Sequence, residues 1–264
     1  MHDERIDAYL VVGGKYHDFD FARLQLLTHL AGDGRVRVQV AADYEDCEAI
    51  ATCRFLVSYT CDVRPSDTAQ AALARYVARG GRWLALHGTN SAIDPPTSIE
   101  DQRAGRSSFT TPRAFPVFAD TLGSQFLSHP KMDPYDVAIS DGADDDPLVA
   151  GIEPFTVTDD ELYLCEYHGD VVPLLETRWT GNSGPGFADN DWPVDEPRLV
   201  MYRRPLGSGE VVYLTPGHCR SHWDMIHPPF TAGTRYPKIE RGAWDLEVYH
   251  ELIRRGLAWA RGEL

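Results

Sequence analysis

With 264 residues and 43% hydrophobic content, the chain can bury a substantial core. Its 40 acidic against 25 basic residues give a formal charge of -15, which repels a phosphate backbone and anionic lipid alike and excludes nucleic acid and membrane surfaces as expected partners. No apolar run approaches transmembrane length, MHDERIDAYLVVGG is too weakly apolar for a signal peptide, and five scattered cysteines include no C-x-x-C pair. The expectation is a cytoplasmic protein with reduced thiols.

Apolar runs bounded by turns predict buried strands at Ala8 to Val12, Val36 to Val40, Phe55 to Tyr59 and Trp83 to Leu86. Helices alternate with them: Phe21 to Leu30 ends at Gly32, and Ser66 to Ala78 has Ser66 to cap it and Gly80 to stop it. That alternation predicts an α/β fold, a mainly parallel sheet with helices on both faces.

From Asn90 to Pro130 the periodicity dissolves into Pro, Ser, Thr and Arg, a length that suits a functional lid or a subunit contact of a homo-oligomer. Beyond it, strand-like pieces at Tyr135 to Ile139, Leu162 to Cys165, Val171 to Glu176, Leu199 to Arg203 and Val211 to Leu214 are spaced as hairpins appended to the sheet, with LGSGE as a turn. Leu246 to Ala260 closes the chain as a helix with Leu246, Tyr249, Ile253, Leu257 and Ala260 on one stripe. No repeat or Ser/Gly linker interrupts residues 1–264, so one domain is expected.

Ligands of such sheets gather outside the carboxyl ends of the strands. Three histidines pass that test: His17 after the first strand, His87 after RWLAL, and His218 after EVVYLTPG. His87 stands on a sharp small-residue turn, ALHGT, where α/β enzymes often present a nucleophile. His129, ahead of a strand, and Asp160-Glu161, at a strand boundary, join the set. Imidazole and carboxylate together can share a metal, pass protons or grip sugar hydroxyls, and the spacing alone leaves these open.

Several chemistries find no support. Cys219 directly follows His218, and neighbours on an extended segment point opposite ways, so Cys219 reads as a packed thiol. GNSGPG misses the G-x-S-x-G pattern and reads as a flexible loop; GGK lacks the P-loop spacing and no G-x-G-x-x-G follows the first strand, so no nucleotide is expected. Asp144-Asp145-Asp146 reads as a solvated turn. Trp179, Trp192 and Trp223 fit sugar stacking or loop plugging equally.

In order, YLVVGGKYHDF, YVARGGRWLALHG, FLSHP, DPLVAGIEPFTVTDDELY, PRLVMYRRPLGSGEVVYLTPGH and LIRRGLAWARG cover nearly the whole chain. On these the chain resembles the ThuA-like family, the trehalose-utilisation proteins. The resemblance implies a flavodoxin-like, class I glutamine amidotransferase-like fold whose elbow normally holds a cysteine, and disaccharide catabolism, downstream of a dehydrogenase making 3-keto sugars. Histidine at the elbow disfavours glutaminase chemistry. The amidotransferase His-x-Glu pair is also missing, since Cys219 and Arg220 follow His218, and PGHC stands where the family often has PGHE.

The resulting expectation is an enzyme acting on a saccharide, a hydrolase, lyase or isomerase. His87, His218 and Glu161 are its catalytic candidates, and His17, His129, Tyr163 and Trp223 its substrate-binding ones. His17, His87 and His218 are candidate ligands of a divalent metal, zinc or manganese. The competing expectations are a non-catalytic sugar-binding or regulatory module and hydrolysis through Cys219.

Overall fold

The computed structural model describes residues 4–225 and 235–264. The first half alternates strand and helix: β1 (Ile6–Gly14), α1 (Phe19–Ala31), β2 (Val36–Ala41), α2 (Cys47–Thr52), β3 (Phe55–Cys61), α3 (Asp67–Ala78) and β4 (Arg82–Leu86). The second half holds α4 (Ile99–Arg103), α5 (Pro116–Leu122), β5 (Ser124–Ser128), β6 (Tyr135–Ile139), β7 (Phe155–Val157), β8 (Leu164–Tyr167), β9 (Val172–Asn182), β10 (Asp191–Leu206), β11 (Gly209–Leu214) and α6 (Glu247–Arg261).

The large sheet runs β2-β1-β3-β4-β11-β10-β9-β6-β7. Its first five strands are parallel, with Leu10 opposite Val57 and Ala85 opposite Tyr213. The remaining four pair antiparallel, as the hairpin spacing predicts. β5 and β8 form a separate two-stranded antiparallel sheet.

Alternate residues of the parallel strands feed two cores. Leu10, Val57, Leu84 and Val212 pack under α1 and α6, while Tyr9, Leu56, Trp83 and Tyr213 pack under α2, α3 and α5. Strands covered on both faces read as continuous apolar runs, which is why they are visible in the sequence. The helix ends are capped locally: Asp18 accepts from Phe21 N and Ser66 from Ala69 N. Among the described residues no helix is long and apolar enough to cross a membrane.

The expected structureless stretch from Asn90 to Pro130 is wrong. It contains α4, α5 and β5. α5 starts with Pro at its first turn and stops at Gly123 (φ +83), so its signals were present but brief. β5 is buried along its whole length although three of its five residues are polar. The strand expected at Leu162 to Cys165 begins two residues later, and α2 and β7 were not anticipated. β9 and β10 extend well beyond the predicted pieces as a long hairpin that carries most of GNSGPG at its tip. Asp146 is not a freely solvated acid, because it clamps the Arg203 guanidinium at 2.7 and 3.0 Å.

Candidate functional site

β1, β4 and β11 end together on one edge of the sheet, and each is followed by one of the histidines. Among the described residues, four that are not glycine have positive φ: Tyr16 (73°), Asp62 (54°), His87 (45°) and Asp159 (57°). All four lie in the loops that build this edge. Such backbone costs about 1–3 kcal/mol apiece and persists where the surroundings hold it in place. At the elbow the close approach is tight, since a Cβ on Gly88 would sit 2.6 Å from the Thr60 carbonyl oxygen.

His17, His87, Glu161 and His218 come together, all buried, with one ligand atom of each within 4.8 Å of the others; this group could hold a metal ion. His17 Nε2 lies 2.9 Å from His87 Nε2. Glu161 lies 3.7 Å from His87 Nε2 and 3.2 Å from His218 Nδ1. His218 Nδ1 makes no hydrogen bond of good geometry.

The opposite nitrogen of each ring is tethered to the protein. His17 Nδ1 reaches the Lys15 carbonyl at 3.2 Å, His87 Nδ1 the Thr215 carbonyl at 2.8 Å, and His218 Nε2 the Glu240 carboxylate at 2.8 Å. Carbonyl and carboxylate oxygens accept, so those nitrogens carry the protons and the lone pairs converge. Facing lone pairs repel unless a cation or a proton stands between them. This is the arrangement of metal-ligating histidines, whose outer N–H is held by an acceptor.

The electrostatics agree. Burial, reinforced by the His87 ring, holds the His17 imidazole well below its ordinary range, and burial lowers His87 too, so both are neutral. Burial opposes charge on Glu161, but His129 and His218 outweigh it and hold the carboxyl well below the usual range. Burial also opposes charge on His218, yet Glu161 and Glu240 push it up to about 9. A proton on His218 Nδ1 faces the Glu161 carboxylate across 3.2 Å.

Asp160 organises the surroundings without facing the cluster. Its buried carboxylate accepts from the backbone N–H of Glu161 (2.7 Å), Gly217 (2.9 Å), His218 (3.1 Å) and Ala243 (2.7 Å), tying three loops together. Asp62 does the same for the first loop, holding Lys15 at 2.6 Å and the Ile93 N–H at 3.0 Å.

A cavity of about 360 Å³ opens over the cluster. His17, His129, Glu161, Tyr163 and Arg220 line it. His87 and His218 are fully buried behind them. Tyr163 OH stands 3.2 Å from His87 Nε2, and His129 Nε2 stands 3.5 Å from Glu161. Wider clefts of about 620 and 460 Å³ lie at the opposite end of the strands, lined by Arg5, Asp7 and Cys53, far from this chemistry.

The structure therefore gathers His17, His87, His129, Glu161, Tyr163 and His218 but leaves Trp223 out. Trp223 is 53% exposed and does not line the cavity. Trp192 plugs a loop, donating its indole N–H to Ser128 and lying under Arg198. Cys219 is a packed thiol, bonded to Tyr59 and pushed up to about 12 by burial. Sequence reading missed Glu240 and Arg220; Glu240 is 22 residues from His218 and carries no local motif.

The family model described as ThuA, trehalose utilisation, matches residues 9–232. Among solved structures, a protein described as ThuA-like from Bacteroides uniformis ATCC 8492 is 15% identical, with 98% of this chain and 93% of that chain covered and a TM-score of 0.62. Another from Parabacteroides merdae ATCC 43184 is 15% identical over 99% of this chain and 92% of that one, with a TM-score of 0.59. No curated protein matches significantly. At these identities the structural likeness shows a shared fold.

Proposed function

Because the chain belongs to the ThuA family of trehalose utilisation, we propose that it is an enzyme of saccharide catabolism acting on an oxidised saccharide, a 3-keto glycoside, by proton transfer beside its carbonyl or by glycosidic cleavage. In this reading His17, His87, Glu161 and His218 hold a divalent metal, zinc or manganese. One observation carries the reading: three imidazoles, each tethered through its outer nitrogen, turn their free nitrogens on one carboxylate at the floor of a cavity. The histidine and carboxylate donor set suits either ion. Such an ion, when bound, polarises a substrate oxygen.

The chain's own groups supply the rest. Burial raises the Tyr163 phenol well above its ordinary range, so it stays protonated and can donate to a substrate oxygen near His87. Arg220 and His129 flank Glu161 and orient polar substituents. The scaffold reads as flavodoxin-like and amidotransferase-like, supported by the β2-β1-β3-β4-β11 order of its parallel strands and by the strained elbow at His87. With imidazole on that elbow, Cys219 committed to packing, and the cavity-lining Cys61 thiol pushed well up by burial, thioester chemistry has no activated nucleophile.

Elemental analysis of the purified protein, with His87→Ala and His218→Ala alongside, tests the metal. About one ion per chain, lost in both variants, is expected; equal content in all three proteins overturns it. Incubation with plain and oxidised disaccharides, followed by mass spectrometry, tests turnover. Binding without any new product would instead make the chain a sugar-binding module.

A further inference from the structure

The cavity has two chemically different ends. Its polar groups His17, His129, Glu161, Tyr163, Arg220 and Tyr236 collect around the cluster, with His129 at the boundary, 6.2 Å from the Phe126 ring and 5.2 Å from the Phe187 ring. From there an unbroken arc of aromatic rings leads around the wall. Tyr163 lies tilted 4.4 Å from Phe126, Phe126 lies 5.3 Å from Phe187, Phe187 lies 5.7 Å from Phe109, and Phe109 lies 6.0 Å from Tyr16, next to His17. These are the spacings of mutually packed aromatic pairs.

The arc is a built wall. The Phe109 N–H donates to the Gly186 carbonyl and the Ala188 N–H to the Phe109 carbonyl, both at 2.9 Å, so the tip of the β9–β10 hairpin is stitched to the segment before α5. Between the rings the lining is Ile93, Met132 and Met225, with Gln102 and Lys131 as the polar groups away from the cluster among the described residues.

A second sugar ring placed in that half would bring hydroxyls that need hydrogen-bond partners, and leaving such groups buried and unpaired is costly. The polar end has donors and acceptors for one ring, several of them already engaged: Tyr236 OH donates to Glu240, and the Arg220 guanidinium to the Tyr16 carbonyl. An apolar ring in the aromatic half meets mainly carbon, from Phe109, Phe126, Phe187, Ile93, Met132 and Met225.

We propose that the ligand of this cavity is a glycoside of an aromatic aglycone, with its single sugar ring at the histidine end and its aglycone among Phe109, Phe126 and Phe187. The proposal rests on the reading of the site as a saccharide site and names the class of glycoside it takes.

Titration calorimetry with phenyl and methyl glucopyranosides of both anomers and with trehalose, each in the plain and the 3-oxo form, tests it. A phenyl glucoside is expected to bind at least about 10-fold more tightly than its methyl counterpart and than trehalose. Phe187→Ala should weaken the phenyl glucoside about 10-fold and leave the methyl glucoside within about 2-fold, while Phe187→Leu keeps most of the affinity. Trehalose binding as tightly as the phenyl glucoside, or an equal loss for both glucosides in Phe187→Ala, overturns the aglycone and leaves the saccharide reading standing. No binding of any of these compounds overturns both.

Discussion

His218 Nε2 meets the Glu240 carboxylate at 2.8 Å, and both residues are completely buried. The carboxylate comes from a segment 22 residues away that no local motif marks. Glu240 is itself held by Tyr236 OH, Lys238 and Arg220. It keeps the Nε2 proton in place and so turns Nδ1 toward Glu161.

Glu240→Gln should therefore weaken metal binding about 10- to 100-fold without changing the ligand set. Competition with a chelator of known affinity measures it. Unchanged affinity would mean that Glu240 only fills space.

Tyr163→Phe removes the hydroxyl 3.2 Å from His87 Nε2 and leaves the ring against Phe126. Turnover of the oxidised saccharide should fall by about 10²-fold or more, with metal content unaltered. Equal turnover in variant and wild type would remove the phenol from the chemistry.

Asp160→Ala strands four buried backbone donors in three loops. Losing those bonds to a buried carboxylate should cost at least about 3 kcal/mol of stability, read as a lower denaturant midpoint at unchanged slope. A loss under about 1 kcal/mol would show that the loops hold without it.

His29 and His250 join α1 to α6 through Nε2 and Nδ1 at 2.9 Å, and His250 Nε2 donates to the Trp244 carbonyl. Burial, then the His250 ring, lowers the His29 pKa; Arg254 and Glu247 are its other charged neighbours. The unfolded chain consequently takes up the proton first, near pH 6.5. This contact contributes fully above that pH and is lost as pH falls through the folded value. His29→Gln should be less stable than wild type at pH 8, with the gap narrowing toward pH 5; a constant gap would contradict this.

The parallel half of the fold was legible because strands buried on both faces leave uninterrupted apolar runs, and because Asp18, Ser66 and Gly32 punctuate the helices. The histidines were legible by position, each standing just past such a run. β5 was not, because its Ser and Gln side chains are buried by contacts from distant segments: Ser124 meets Asn90 and Tyr202, and Gln125 meets the Thr111 and Pro112 carbonyls. Glu240 stayed hidden for the same reason. Trp223 was misplaced because an aromatic in a polar loop carries no information about which way it faces.

The cluster draws one imidazole from each of three strands, β1, β4 and β11, so its ends are closed by contacts 70 and 128 residues apart in sequence, His17 to His87 and His87 to Thr215. Loops that long close only after the intervening strands have docked. The pocket is accordingly a late event in refolding, and a chain truncated before β11 has no site to load. Recovery of metal uptake during refolding would time the completion of the whole parallel sheet.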